Sequence, residues 1–515
     1  MSNIRFDFIN ENKEARQKER SQLRTSRRVQ SLAKRRTEYQ SQVQEESKME
    51  EGDEDDFLVR GTGKLQRQTQ TIESPSARRQ HTRSISYFAN SLVESQNIPE
   101  RVKELLEQLF QGIKLNGYTS YKVIEATGII PVLVNFINHP NSSISALSLE
   151  IINLLLLESS DFVTGFINEK IVYALSHKIE TAPTELRITI VTLIGNIAGD
   201  RAETRDYLLG ENVVNLIQKL VSMYNNVTPM KERLMFLISN LCRSQPFVDL
   251  EKVQMLLPYI FSSIKQKTFD KIMADALWGF SFIVSNPQNI CKFQDFELLE
   301  TILSCLSTTN NDIIGAILAV LVSYIDNDIS CANWLIEHNV INYLNTIIHS
   351  QCNSKTKVHA AFVLSELVLI PNTKVVPTLI SSVFVDLPPL ISSNYNDFEF
   401  KKEIGWLVTN CILSIKSPKD LLTLLSIKDF YLMFMLFFDD DNTKFITQLL
   451  SCVFILSEFD QKTNFCHHII DNLQERNLDN ILSSFELSKF SSNSLVLEQL
   501  NKIKKSMKYV TSSLF

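Results

Sequence analysis

A stretch of a little over forty residues recurs along most of this chain. A longer apolar segment reads "ALSLEIINLLL" from Ala146, "TIVTLIGNIAGD" from Thr189 and "RLMFLISNLC" from Arg233. It continues as "DALWGFSFIV" from Asp275, "AILAVLVSYI" from Ala316, "AAFVLSELVL" from Ala360 and "IGWLVTNCIL" from Ile404. One register taken through these segments runs Asn153, Asn196, Asn240, Phe282, Val322, Glu366 and Asn410, in steps of 43, 44, 42, 40, 44 and 44 residues. A shorter apolar segment precedes several of them, as in "TGIIPVLVNFI" from Thr127 and "EHNVINYLNTII" from Glu337. That period, with two or three helices per unit, is the period of HEAT or armadillo repeats. No unit of this length buries its own apolar face, so neighbours must stack into an extended superhelix with a long concave surface. Residues from about Ile427 to Leu500 fit two further, weaker units.

Composition agrees with an all-α chain. Gly (13) and Pro (14) are scarce among 515 residues, which leaves little material for tight turns. No apolar run reaches the roughly 18 residues of a membrane span, and the first residues lack a secretory apolar core. Eight scattered Cys without a C-x-x-C pair read as reduced, mostly buried thiols. Cys466, His467 and His468 lack further ligands at zinc spacing, so no metal, no cofactor and no enzymatic activity are expected.

Charge divides the chain. Residues 1–49 hold 12 Lys/Arg and 7 Asp/Glu, net +5; the rest holds 40 and 51, net -11. Lys13, Arg16, Arg20, Arg24 and Arg27 share helical spacing, with almost no apolar partner. Such an arm is expected to be disordered alone and to fold against an acidic surface. Six acids crowd Glu50 to Asp56, and a polar linker follows to residue 96. The expected organisation is a basic arm 1–40, a disordered linker 41–96, a solenoid 97–505 and a tail 506–515. The arm has no aromatics interleaved among its cations for base stacking and the body is acidic, so nucleic acid is not an expected partner.

Four of the seven register residues are Asn, which is a mediocre helix former. An amide donates and accepts at once. A row of amides on one inner surface can therefore hold the backbone of an extended peptide. Layers about 10 Å apart match roughly three extended residues.

Two pieces of the chain resemble the importin-α family of nuclear import adaptors. "SQLRTSRRVQSLAKRR", Ser21 to Arg36, is similar to the end of that family's importin-β-binding arm. "IGNIAGDRAETRDYLL" from Ile194, "SNLCR" from Ser239 and "VIEATGIIPVLVNFI" from Val123 resemble its armadillo repeats. The resemblance implies an armadillo-repeat superhelical solenoid that binds basic nuclear localisation signals. In its N-terminal groove the implied residues are Asn153, Asn196, Asp200, Phe236, Asn240, Trp278 and Phe282. In its C-terminal groove they are Phe362, Glu366, Glu403, Trp406 and Asn410. Asn would hold the signal's backbone, aromatic rings would flank lysine stems, and Asp200 and Glu403 would receive ammonium groups. The arm, through Lys13, Arg16, Arg20, Arg24, Arg27, Arg28, Lys34, Arg35 and Arg36, would bind an importin-β-type carrier. Its Lys34-Arg35-Arg36 would otherwise occupy the groove and block it. A nuclear exporter with a Ran-type GTPase, and shuttling between cytoplasm and nucleus, complete what the resemblance implies.

The chain departs from that pattern. Leu149, Thr192 and Phe236 stand where Trp is usual, and only Trp406–Asn410 keeps the full Trp-x-x-x-Asn pair. Each lost cation–aromatic contact is worth about 0.5–2 kcal/mol, so weak binding of simple basic signals is expected in the N-terminal groove. The rival expectation is an armadillo scaffold that assembles cytoplasmic partners without transport.

Overall fold

The computed structural model describes residues 75–512, apart from 117–120, 244, 395–396, 464–465 and 467. The basic arm and the acidic run lie outside the described residues. The described residues are helical throughout, with no strand among them. The repeating unit has three helices, which makes it an armadillo repeat. One unit comprises Ser160–Asn168, Ile171–Thr181 and Thr184–Ala198; another comprises Ile329–Glu337, Val340–His349 and Ser354–Leu367.

Local sequence sets the corners of each repeat. The residue before the second helix adopts left-handed backbone at Gly128, Lys170, Asn212, Asn339, Asp429 and Asn477. Gly, Asn and Asp tolerate that conformation best, which is why they recur there. The third helix often begins on a side-chain cap. Asn141, Asp270, Asn310, Asn353, Asp397 and Asn442 each accept a hydrogen bond from a backbone N–H of the first turn. Such a cap satisfies a donor that the helix itself leaves open, for about 1 kcal/mol.

The described residues form two compact units, 75–260 and 261–512. In the first, the third helices Ser142–Glu158, Thr184–Ala198 and Thr228–Leu241 pack in sequence. In the second, Lys271–Val284, Asn311–Asn327, Ser354–Leu367, Phe398–Ser414, Thr443–Lys462 and Ser494–Ser512 do the same. Arg205 is 1% exposed in the first unit; its guanidinium donates to the carbonyls of Arg243 (2.6 Å) and Pro246 (3.0 Å) and to Asp206 (2.9 Å). These bonds hold the connection that leaves the third repeat.

Three expectations from the sequence are corrected. The segment read as linker up to residue 96 includes a helix, Pro75–Glu94, which packs on Pro99–Asn116. Its Ile85, Ala89 and Leu92, spaced by four and three, are buried, so a single apolar edge suffices to dock an otherwise polar helix. The segment read as a tail from 506 belongs to the helix Ser494–Ser512. Ser506 is buried there, in hydrogen bonds with Ser457 (2.8 Å) and Gln461 (2.8 Å). Third, Val375–Ser393 has the length and apolar composition of a membrane span, contrary to the expectation of no such run. Here the α-helices Val375–Ser382 and Leu387–Ser393 are joined by a short 3-10 helix, Phe384–Asp386, and Val375, Leu379, Val383, Phe384, Leu387 and Ile391 are fully buried.

Close packing of third helices depends on small residues at the contact. A Cβ added at Gly405 would lie inside contact distance of the Phe445 ring and 3.2 Å from Phe437 Cδ1. Phe445 is fully buried and has no room to yield. Gly405→Ala is therefore expected to destabilise the second unit by about 1–3 kcal/mol, read as a lowered unfolding midpoint in circular dichroism. An unchanged midpoint would show that the helices slide apart at no cost.

Candidate peptide-binding strip

The register residues occupy equivalent positions on successive third helices, and the side chains of Asn196, Asn240 and Asn410 reach back to the helix before. Asn240 Nδ2 donates to the carbonyl of Gly195 at 2.9 Å, and Asn410 Nδ2 donates to that of Ser365 at 3.3 Å. Gly195 and Ser365 both precede the register residue of the preceding repeat, so the same bond forms in each unit. Asn196 Nδ2 donates to Asn153 Oδ1 at 2.9 Å. The amides are thus oriented by the layer before them. At Asn410 the oxygen also accepts from Gln448 Nε2 at 2.8 Å, and Gln448 bonds Thr409 at 2.7 Å. An amide carries two donor hydrogens and two lone pairs. These bonds use one of each at Asn410.

Two glycines make this approach possible in the first unit. A Cβ at Gly195 would lie 2.6 Å from Phe236 Cε1, and one at Gly199 would lie 2.9 Å from Asn240 Nδ2. The "GNIAG" run is therefore a shallow seat for the ring and amide of the next repeat. Phe236, which is 5% exposed, packs against this seat.

Asp200 follows Asn196 by one turn. Ser160 Oγ donates to its Oδ1 at 2.6 Å, and the Arg201 guanidinium stands 3.7 Å from its Oδ2. In the second unit, Trp278 and Phe282 form a tilted ring pair with centroids 6.1 Å apart. These two rings, which the resemblance places in an N-terminal groove, lie in the 261–512 unit. Trp406 packs on Phe445 at 5.0 Å, with Glu403 half-buried one turn before it. Phe362 is half-buried and Glu366 is 3% exposed, one turn apart on Ser354–Leu367.

Asp275, Asp326 and Gln448 escaped the sequence reading. Asp275 precedes register residue Phe282 by seven positions, as Glu403 precedes Asn410; Asp326 follows Val322 by four, as Asp200 follows Asn196. Both offsets return to the same helix face, and that repeated offset was the available signal. Among the described residues, no group of three or more His, Cys, Asp or Glu is arranged to hold a metal ion. All eight cysteines are free thiols, and burial pushes Cys242 up to about 12.

His359 lies seven positions before Glu366 on the same face. Burial, together with the Lys355 ammonium, pushes its imidazole down to about 4. The folded state therefore binds fewer protons than the unfolded chain between about pH 6.5 and 4. Its contribution to stability is complete above pH 6.5 and is lost as pH falls through that window. His359→Gln should flatten the stability profile between those limits relative to the parent in urea titrations. Parallel profiles would place His359 in a solvated site.

No family model matches the chain. The chain is 28% identical over 111 residues to importin subunit alpha-6 of Arabidopsis thaliana, a stretch covering 20% of this chain and 19% of that protein. It is 30% identical over 105 residues to importin subunit alpha-2 of the same plant, covering 19% and 18%. It is also 30% identical over 107 residues to a probable importin subunit alpha-A of Dictyostelium discoideum, covering 18% and 20%. The match thus spans about a fifth of these relatives' length. Among solved structures, an engineered protein superposes with a TM-score of 0.63 at 14% identity, over 82% of this chain and 99% of that one, a likeness of fold. A designed armadillo repeat protein in complex with the peptide (KR)4 aligns over 46% of this chain and 99% of its own, with a TM-score of 0.41 and 17% identity.

Proposed function

We propose that this chain is a nuclear import adaptor that binds basic localisation signals along the amide strip and joins an importin-β-type carrier through its N-terminal arm. The observation that carries the reading is the repeated amide geometry. In each unit an Asn is held by the preceding layer's backbone, and in the second unit Asn410 stands one turn after Trp406 with Glu403 beside it. Amides held in this way present hydrogen-bonding groups to a main chain, carboxylates select cationic side chains, and aromatic faces lie along lysine stems. The importin-α likeness over a fifth of the relatives supports the same reading. The arm residues Lys34, Arg35 and Arg36 would compete for the strip until the carrier withdraws them, and tethering raises their local concentration. On this reading a nuclear exporter with a Ran-type GTPase returns the chain, which shuttles between cytoplasm and nucleus.

A scaffold without transport is the second reading, favoured by Leu149, Thr192 and Phe236 at the positions of the missing Trp residues. The arm separates the two. The full chain should capture an importin-β-type carrier in a pull-down, and reversing Arg24, Arg27 and Arg28 to Glu should abolish capture. Removing residues 1–40 should also tighten binding of a basic peptide several-fold in fluorescence anisotropy. Failure to capture the carrier, with peptide affinity unchanged by the deletion, would establish the scaffold reading instead.

A further inference from the structure

In the first unit the carboxylate expected to select lysine already faces a cation from its own chain. Arg201, the residue after Asp200, places Nε 3.7 Å from Asp200 Oδ2 and 3.8 Å from Glu203 Oε2. Its Nη2 donates to Thr164 Oγ1 at 2.6 Å, which pins the guanidinium to the first helix of the same repeat. Ser160, from that same helix, bonds the other oxygen of Asp200 at 2.6 Å. Asp200 is 8% exposed and Arg201 39%, so the pair is screened less than two surface charges. A guanidinium is always charged and loses little freedom when pinned by hydrogen bonds.

The second unit differs. Along its inner register stand Asp275, Asp326, Glu366 and Glu403, on four successive third helices, with Trp278 at the first and Trp406 at the last. Asp275 and Glu403 flank the strip on one edge and Asp326 on the other, by their offsets of seven before and four after the register residue. An extended peptide sends alternate side chains to opposite sides, so both edges are within reach of one basic strand. Four layers at about 10 Å span roughly ten extended residues.

We infer that Arg201 is a built-in counter-ion to Asp200, a specificity-determining residue that closes the 75–260 unit to lysine and leaves cation recognition to the 261–512 unit. The inference rests on the peptide-binding reading above. Asn196 and Asn240 retain their hold on backbone in the first unit, so that unit accepts an extended chain with little regard to charge. The second unit demands Lys or Arg.

The test is fluorescence anisotropy with a labelled peptide of about twelve residues bearing Lys at every second position. It uses the full chain carrying Lys34→Ala, Arg35→Ala and Arg36→Ala, so that the arm does not compete. Arg201→Gln should tighten binding about fivefold, and adding Asp200→Asn should cancel that gain. Asp200→Asn alone should change affinity less than about twofold, whereas Glu403→Gln with Asp326→Asn should weaken it about tenfold. The inference is overturned, with the peptide-binding reading intact, if Arg201→Gln gives no gain or if Asp200→Asn alone costs tenfold. Circular dichroism checks that each variant folds, and Asp200→Asn decides the matter should Arg201→Gln unfold. If the parent binds neither this peptide nor its shuffled form, both readings fall together.

Discussion

A third helix in the middle of this chain has almost no surface of its own. Phe398–Ser414 packs on Ser354–Leu367 on one flank and on Thr443–Lys462 on the other. Its Ile404, Leu407, Val408 and Cys411 are fully buried as a result. Two flanks consumed by stacking leave one narrow strip per helix, and repetition lines these strips up. Whatever the chain binds by its register residues, it binds with one or two side chains per layer.

That confinement explains why the register Asn residues do two jobs. A polar amide so close to a packed interface must be hydrogen-bonded or cost about 1–3 kcal/mol. Bonding back to the carbonyl of Gly195 or Ser365 meets that requirement and fixes the plane of the amide at the same time. An amide that does not have to be ordered on binding loses less entropy when a ligand arrives. The glycines serve the same end. Gly195 and Gly199 leave room for Phe236 and Asn240, and Asn240 reaches the Gly195 carbonyl, so the "GNIAG" run shapes the candidate strip although it carries no chemistry of its own.

Much of this was legible in the sequence because a repeat states its pattern several times over. The low-forties period, the four Asn in one register and the buried thiols all follow from residue spacing and composition. Helix Pro75–Glu94 was not legible, since three buried residues, Ile85, Ala89 and Leu92, are diluted among Ser, Arg and Gln. The part played by Arg201 was hidden for a different reason. Its partner Thr164 lies 37 positions away and Ser160 lies 40 from Asp200, so only the folded repeat brings the four side chains together. Arg205, fully buried four residues on, is a similar case: its carbonyl acceptors at Arg243 and Pro246 are invisible to any helical pattern. Distance along the chain, more than chemistry, separates what could be read from what could not.

The strip also sets a limit on what any single layer is worth. A partly exposed charge pair contributes about 0–1 kcal/mol, and one cation–aromatic contact about 0.5–2 kcal/mol. Recognition of a basic segment through such contacts has to be assembled from several layers, none of which is decisive. Leu149, Thr192, Phe236 and Leu318, each four residues before a register residue, stand where Trp278 and Trp406 stand in other repeats. Leu149 and Leu318 are fully buried at that position, and Phe236 and Trp406 are 5% and 4% exposed, so whatever stands there must also fit the packing between helices. Divergence in a solenoid of this kind is therefore graded by position. Residues facing neighbouring layers are constrained by packing, register amides by the carbonyls that hold them, and half-exposed charged side chains by neither. Arg201 belongs to the last group: it touches Asp200, Glu203 and Thr164, and removing its charge leaves every apolar contact between third helices in place.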